Sequence, residues 1–365
     1  MTARVAPAPP AFGRFFLPGP TDVHPEVMAA MQRPMIGHRS GAMEQLLGGI
    51  EAPLARLFRT ARPVLVGTTS ATGFMEMAVR NGVRHRALSI VNGSFSERFA
   101  NLVRACGKEC VRLDVPLGCA VEPDMLRDTL RRTPVDAVTV VHSETSTGVL
   151  QDIEALATVV REFDDVLLLV DAVTSLAGSP VETDRWRLDF ALTGSQKALA
   201  LPPGLALGVA SDRMLDRART LPSRGLYFDL VSFLDATTKH QPTNTPAIPL
   251  LFALEAQLAR IEREGGVEGR WARHDAMRRR VEAWAERRGV AYLPREGRRS
   301  WTVSCLKVPG GTGAKQIVGA LKQAGWTIGA GDGPLTESTI RIGHMGDHSV
   351  AALDELLALL DGLVA

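Results

Sequence analysis

Seven short apolar runs, separated by longer amphipathic stretches, dominate the middle of this 365-residue chain. Patterns typical of helices, such as residues 123–132 and 153–163, lie between several of them. Apolar strands that do not alternate with polar residues, and that are separated by helices, are typical of a mostly parallel sheet covered on both faces. The sequence therefore predicts an α/β fold around a seven-stranded sheet. The runs are residues 63–67, 86–91, 110–115, 137–142, 166–173, 190–195 and 205–211.

The pattern changes after about residue 245. Two long helical segments come first, and shorter strand-like and helical segments follow, with a last helix from about Ser349. This order is typical of a smaller α+β domain. We therefore predict a flexible N-terminal arm over residues 1–16, a large domain over 17–265 that ends in a bridging helix, and a small domain over 266–365.

Composition and charge narrow the function classes. The formal net charge is +2, which gives no reason to expect a nucleic-acid partner. No apolar run approaches the roughly 18 residues of a membrane span, and the Ala- and Pro-rich start lacks the apolar core of a secretory signal. The cysteines have no zinc-site spacing, so we expect no metal, reduced thiols and a cytoplasmic location. They are Cys106, Cys110, Cys119 and Cys305.

Lys197, in TGSQKALALPPG, follows the sixth apolar run, and Asp171 lies near the end of the fifth. Six of the 42 basic residues are lysines, and the others are arginines, whose guanidinium cannot lose its proton to attack a carbonyl. A carboxylate at the end of a buried strand is costly unless a donor or cation meets it. Asp171 is therefore either the cap of a turn or the partner of a protonated ring nitrogen or a metal.

Other polar segments also follow strands, where open α/β sheets bind their ligands. Residues 67–80 read as a strand end, a small hydroxyl-rich loop and a helix, which is either a phosphate site or an ordinary helix start. Residues 142–148 form a turn rich in hydroxyls. Phe95 is either a core ring or a stacking ring, and Arg341 is either an edge-strand ion pair or a carboxylate fork. We interpret residues 329–334, a lone Gly-x-Gly-x-Gly, as a turn.

Taken together and in this order, these segments resemble the class V aminotransferases of fold type I, and most closely the alanine–glyoxylate and serine–pyruvate (serine–glyoxylate) group. The resemblance covers nearly all of the chain except the first dozen residues. It rests on LPGPT, SATGFMEMA, NGSFSER, HSETSTGVLQ, LLLVDAVTSLAG, LTGSQKALALPPG and TIRIG.

The resemblance implies a pyridoxal 5′-phosphate enzyme and a role for each matching residue. Lys197 would bind the cofactor as a Schiff base and then move a proton, while Asp171 would keep the pyridine nitrogen protonated. Phe95 would stack on the ring, and Thr145 would lie near its 3-oxygen. Arg341 would bind the substrate α-carboxylate. The phosphate would be held by Ser70, Ala71 (through its backbone N–H), Thr72 and Gln196, and by Thr245 from the second subunit of a homodimer.

The same resemblance implies a ping-pong transfer of an amino group from L-alanine or L-serine to glyoxylate or pyruvate. Donors such as an aminophosphonate, ureidoglycine or pyridoxamine stay open, as does a binding or regulatory role of the fold. A cysteine desulfurase would need a mobile nucleophilic cysteine, whereas Cys305 is predicted to lie in a strand. His38 and Arg39 are either structural or near the partner's active site, and Pro242 replaces a Tyr that some relatives carry.

Overall fold

The computed structural model describes residues 11–309 and 313–364. The strands are β1 Phe15–Phe16, β2 Leu65–Thr68, β3 Arg86–Val91, β4 Glu109–Asp114, β5 Ala137–Val141, β6 Ser143–Glu144, β7 Val149–Leu150, β8 Leu167–Asp171, β9 Phe190–Gly194, β10 Leu205–Ala210, β11 Ser304–Lys307, β12 Thr327–Ala330 and β13 Thr339–Ile342. The helices are α1 Pro25–Ala30, α2 Gly41–Phe58, α3 Ala71–Gly82, α4 Ser94–Ala105, α5 Pro123–Arg132, α6 Ile153–Val160, α7 Asp212–Thr220, α8 Leu230–Thr237, α9 Ile248–Arg263, α10 Gly266–Arg288, α11 Ala314–Gln323 and α12 Val350–Asp361. A short 3₁₀ helix spans Gly333–Leu335.

The large sheet has seven strands in the order β2-β10-β9-β8-β5-β3-β4. Strands β9, β8, β5, β3 and β4 pair in parallel, and β10 is antiparallel to both of its neighbours. Each of the seven apolar runs forms one of these strands. The predicted α/β fold with a mostly parallel seven-stranded sheet is therefore confirmed.

Helices cover both faces of this sheet. Strand β8 shows why a strand in such a sheet does not alternate between apolar and polar residues. Leu168 and Val170 pack into the core on one face, and Leu167 and Leu169 pack into the core on the other. Every residue of β8 is buried. The apolar side chains of β8 are therefore committed to the two cores, and its one polar residue, Asp171, stands at the carboxyl end of the strand.

A second sheet of four strands, in the order β1-β12-β13-β11, carries α10, α11 and α12. Its own core includes Trp284, Leu306, Ile328 and Leu356. Residues 329–334 are only partly the predicted turn, because Gly329 and Ala330 end strand β12. That strand was missed because Ile328 is its only large apolar residue, which is too little to form an apolar pattern.

The prediction that residues 1–16 form a flexible arm is wrong for Phe15 and Phe16. Residues 1–10 of that arm lie outside the described residues. Phe15 and Phe16 form β1, which pairs in parallel with Thr327 and Ile328 of β12. The ring of Phe16 is fully buried and stacks on His348 at a centroid distance of 4.0 Å. Burial of this ring stabilises the pairing, because it removes a large apolar surface from water.

Among the described residues, no helix is long and apolar enough to cross a membrane. In the same part of the chain, the His, Cys, Asp and Glu side chains form no group of three or more that could hold a metal ion. The four cysteines are free thiols, and Cys305 alone among them is buried.

Candidate active site

A cavity of about 190 Å³ lies at the carboxyl ends of strands β5, β8 and β9. Parallel pairing brings these strand ends to the same edge of the sheet, although they are far apart in sequence. The structure thus brings together eight of the predicted site residues. They are Ser70, Ala71, Thr72, Phe95, Thr145, Asp171, Gln196 and Lys197.

Lys197 lies in the turn that follows β9, and its side chain is buried. Its Nζ atom donates hydrogen bonds to the backbone carbonyl of Pro18 and, over 3.4 Å, to Oγ1 of Thr145. Burial lowers the pKa of Lys197 to about 7, and the positive charge of Arg341 adds to this effect. A substantial fraction of the amine is therefore neutral near pH 7, as nucleophilic attack on a carbonyl requires.

Asp171 is the last residue of β8, and its carboxylate is buried. The backbone N–H of Val173 donates a hydrogen bond to Oδ1 over 2.7 Å. Burial nevertheless raises the pKa of Asp171 to about 7. A further donor would stabilise this carboxylate, and the protonated nitrogen of a pyridine ring supplies one, so the residues present fit pyridoxal phosphate.

Ser70, Ala71 and Thr72 line the cavity where helix α3 begins. Helix α3 starts at Ala71, and the Ser70 side chain makes no capping hydrogen bond. The first N–H groups of the helix and its positive dipole end are therefore available to a phosphate. The turn is tightly packed, because a Cβ atom on Gly73 would lie 2.4 Å from Oγ1 of Thr69 and 2.7 Å from the ring of Phe228.

Phe95 and Thr145 flank Lys197. The Nζ atom of Lys197 lies 5.4 Å from the centroid of the Phe95 ring, which is half-buried in the first turn of α4. Oγ1 of Thr145 is hydrogen-bonded to Oγ1 of Thr174 over 2.5 Å. A planar ligand bound to Lys197 would therefore have an aromatic ring and two hydroxyl groups within reach.

Arg341 belongs to β13, an inner strand of the four-stranded sheet rather than an edge strand. Its Nε atom donates to the carbonyl of Ala330 over 2.9 Å, and Nη1 donates to the carbonyl of Thr145 over 3.2 Å. The predicted alternative of an edge-strand salt bridge is therefore wrong for the part of the chain described. The two carbonyls orient the guanidinium and leave Nη2 and one N–H of Nη1 for a carboxylate.

Thr245 does not line this cavity within its own chain. It is exposed in the loop before α9, and Pro242, in the same loop, lines a separate cavity beside α2. His38 and Arg39 also lie outside the active-site cavity, and Nε of Arg39 donates to Nε2 of His38 over 3.3 Å. Roles for these residues toward a second subunit stay predictions.

The structure also places residues at the site that the sequence analysis did not single out. Thr174 could have been found, because it follows Asp171 by three residues at the same strand end. Arg98 carries no such signal, and its guanidinium carbon lies 4.9 Å from the centroid of the Phe95 ring. Pro18 and Gly19 come from the N-terminal segment, and a Cβ atom on Gly19 would lie within 2.7 Å of Nζ of Lys197.

Cys305 is fully buried in β11. Burial raises the pKa of its thiol to about 11, so the reactive thiolate is disfavoured at neutral pH. The desulfurase alternative, which requires a mobile nucleophilic cysteine, therefore has no support from this residue.

The chain was compared with known proteins. The profile of the family described as Aminotransferase class-V matches residues 17–344. An uncharacterized aminotransferase of Methanocaldococcus jannaschii is 37% identical over 94% of this chain and 90% of its own length. The serine–glyoxylate aminotransferase of Methylorubrum extorquens is 31% identical over 93% of this chain and 87% of its own.

Among solved structures, the aspartate aminotransferase of subgroup IV from Thermus thermophilus superposes with a TM-score of 0.89 at 32% identity. The match covers 96% of this chain and 98% of that one. The fold, the family profile and the lysine–aspartate cavity agree with one another. The chain therefore belongs to the class V aminotransferases, with fold type I, and its cofactor is pyridoxal phosphate.

Proposed function

We propose that this protein transfers the amino group of a small amino acid, L-alanine or L-serine, to glyoxylate or pyruvate. The observation that carries the proposal is the arrangement of Lys197, Asp171 and Arg341. Lys197 and Asp171 line one cavity with an amine and a carboxylate, and the guanidinium of Arg341 is hydrogen-bonded to the backbone of Thr145, which lines the same cavity. A serine–glyoxylate aminotransferase is among the relatives of similar length, which supports the choice of donor and acceptor.

The cofactor, when bound, supplies an electron sink for the carbanion that forms at the substrate Cα. Asp171, whose buried carboxylate lines the cavity, would accept a hydrogen bond from the pyridine nitrogen and so keep a proton on it. Nζ of Lys197 would accept a proton from the substrate Cα and return it to the bound cofactor. The lowered pKa of this amine suits a group that both accepts and returns a proton near neutral pH.

The remaining residues bind and orient. Ser70, Ala71 and Thr72 hold the phosphate at the start of α3, and Gln196 adds a further contact. The free edge of Arg341 forms a two-point contact with the α-carboxylate of the substrate. This contact would orient the substrate Cα–H bond toward Nζ of Lys197, which would favour proton transfer over side reactions.

A second copy of the chain completes the phosphate site in this proposal. Thr245 is exposed and lies away from the cavity of its own chain, so it reaches a phosphate only across a homodimer interface. Mixed dimers of Lys197→Ala and Thr245→Ala chains test this arrangement. If the sites are shared, one of the two sites in each mixed dimer carries both defects and the other carries neither.

Aspartate is the second candidate donor. Arg98 lines the cavity with an exposed guanidinium, and within the described residues it forms no salt bridge. The side-chain carboxylate of aspartate would pair with the positive charge of this guanidinium. The aspartate aminotransferase structure that superposes on this chain supports the same candidate.

The deciding experiment is a panel of amino donors, namely L-alanine, L-serine, L-aspartate, ureidoglycine, pyridoxamine and an aminophosphonate, each tested with glyoxylate and with pyruvate. We expect the highest kcat/KM with L-alanine or L-serine, and parallel lines in double-reciprocal plots, as ping-pong kinetics require. Borohydride reduction followed by peptide mapping should place the cofactor on Lys197, with Lys197→Arg as the unlabelled control. Activity confined to aspartate would overturn the small-donor proposal, and label on another lysine would overturn the site.

A further inference from the structure

Glu144 is a buried carboxylate that the roles above do not use. It ends the short strand β6, directly before Thr145, and its side chain is fully buried. Its Oε1 accepts hydrogen bonds from the N–H groups of Phe95 and Ser146, over 3.3 and 3.1 Å, and from Oγ of Ser146 over 2.6 Å. Its Oε2 accepts from the N–H and the Oγ of Ser96, over 2.9 and 3.0 Å.

These five donors take the place of a cation. Within the part of the chain that the structure describes, Glu144 forms no salt bridge, so its charge is stabilised by hydrogen bonds and by the positive end of helix α4. A buried carboxylate with this many donors is rigid, because moving it would leave several buried polar groups unpaired.

The donors from Phe95 and Ser96 are first-turn N–H groups of α4, which starts at Ser94. The residue at the N-cap of this helix is Gly93, which has no side chain that could cap it. The carboxylate of Glu144, from a different segment, occupies the place of the missing cap. A Cβ atom on residue 93 would lie 2.4 Å from Cγ of Glu144, so the glycine permits this close approach.

We propose that Glu144 is a positioning residue that caps α4 from the neighbouring hairpin, which strands β6 and β7 form, and so holds the ring of Phe95 over the cofactor site. The hydroxyl of Ser146 supports the same link, because it accepts from the N–H of Ser94 over 3.0 Å and donates to Glu144. Thr145, between these two hairpin residues, is thereby held at a fixed distance from Phe95. This inference rests on the cofactor and not on the identity of the amino donor.

The test compares Glu144→Gln with Glu97→Gln in the apoprotein and in the cofactor-bound enzyme. Glu97 is a matched control, because it lies in the same first turn of α4 but pairs with Arg112 on the outside. In Glu144→Gln, an amide N–H₂ replaces one acceptor oxygen and faces donors, so the first turn of α4 loosens. We expect faster hydrogen exchange at the amides of Phe95 and Ser96, and cofactor binding weakened roughly tenfold.

A double-mutant cycle with Phe95→Ala separates positioning from general destabilisation. If Glu144 acts through the Phe95 ring, the effects of Glu144→Gln and Phe95→Ala on the cofactor Kd are not additive. The visible circular dichroism of the bound cofactor should change in the same direction in both variants. Additive effects on Kd, or a Glu144→Gln variant that behaves as Glu97→Gln does, would overturn the proposal.

Ser146→Ala keeps the test decisive if Glu144→Gln does not fold. It removes one hydroxyl donor to Glu144 and leaves the carboxylate in place, so we expect the same changes at a smaller size. No coupling between Ser146→Ala and Phe95→Ala would contradict the inference. A failure of the donor panel would leave these binding measurements unaffected, so failure of the proposed function and failure of this inference are distinguishable.

Discussion

The guanidinium of Arg341 donates a hydrogen bond to the backbone carbonyl of Thr145 over 3.2 Å, and so joins the four-stranded sheet to the hairpin at the cofactor site. Arg341, which is proposed to hold the substrate carboxylate, is thus oriented by Thr145, which is proposed to contact the cofactor ring. Substrate and cofactor positions are therefore coupled through one backbone atom.

Replacing Arg341 with Gln should raise KM for amino and oxo acids about 100-fold, because a charge-assisted, two-point contact with the carboxylate is lost. Steady-state kinetics with a good donor, together with the Kd of a carboxylate inhibitor, measure the effect. Loss of the donor to Thr145 should also lower the free energy of unfolding by about 1–2 kcal/mol. An unchanged KM would remove Arg341 from the substrate site.

Gly19→Ala should slow attachment of the cofactor to Lys197. The new Cβ atom would lie 2.5 to 2.7 Å from Cδ, Cε and Nζ of Lys197, at a backbone φ of +98°. Gly13→Ala is the matched control, because Gly13 has a φ of +89° and nothing within 4 Å of its Cβ position. Both variants should lose about 1 kcal/mol of stability to backbone strain. Only Gly19→Ala should lower the rate at which cofactor absorbance develops, and equal rates in the two variants would contradict the contact.

The rate at which pyridoxal phosphate attaches to the apoprotein should rise with pH about tenfold per unit below pH 7 and level off above it. The physical reason is that burial, and then Arg341, lower the pKa of Lys197 to about 7, so the neutral amine predominates above that pH. Stopped-flow absorbance over pH 5 to 10 measures it, with Lys197→Arg as the unreactive control. A rate that kept rising to pH 10 would show an ordinary lysine pKa.

Asp171→Asn should abolish most activity and yet stabilise the apoprotein at high pH. Burial raises the folded-state pKa of Asp171 from 3.8 to about 7, so the native state binds an extra proton between those values. The stability that this proton contributes is complete below about pH 4 and is lost as the pH rises through 7. An asparagine cannot ionise, so its advantage over aspartate should grow across this range, to about 4 kcal/mol at pH 8. Urea unfolding at pH 4.5 and pH 8 measures it, and a constant difference would refute the pKa shift.

The large sheet was predictable because most of its strands are short, continuous apolar runs that can be recognised from the local sequence. The residues of the site followed from the same pattern, since Asp171 ends β8 and Lys197 lies three residues after the end of β9, and the carboxyl ends of these strands meet. The antiparallel direction of β10 was not predictable, because its six buried residues look the same in either direction. Burial on both faces removes the pattern that would reveal how a strand is paired.

The parts that escaped prediction depend on contacts between distant segments. Strand β1 has two residues, and it pairs with Thr327 and Ile328 of β12, more than 300 residues away in the chain. No local sequence pattern therefore indicates the pairing. The bonds of Glu144 to Ser96 cross 48 residues, and a hairpin glutamate looks like any surface carboxylate until the fold brings α4 against it. Fold type and cofactor chemistry are therefore readable from sequence, whereas the residues that position them are not.

The contact of Lys197 with the carbonyl of Pro18 has a consequence for synthesis on the ribosome. Pro18 is translated before Lys197, and Arg341, which is hydrogen-bonded to the carbonyl of Thr145, is translated after both. A nascent chain can form much of the seven-stranded sheet before β13 leaves the exit tunnel, but its active site still lacks the guanidinium. A chain that terminates before β13 therefore carries an incomplete site, so the contact between Arg341 and Thr145 forms only after the residues of the large sheet have been made.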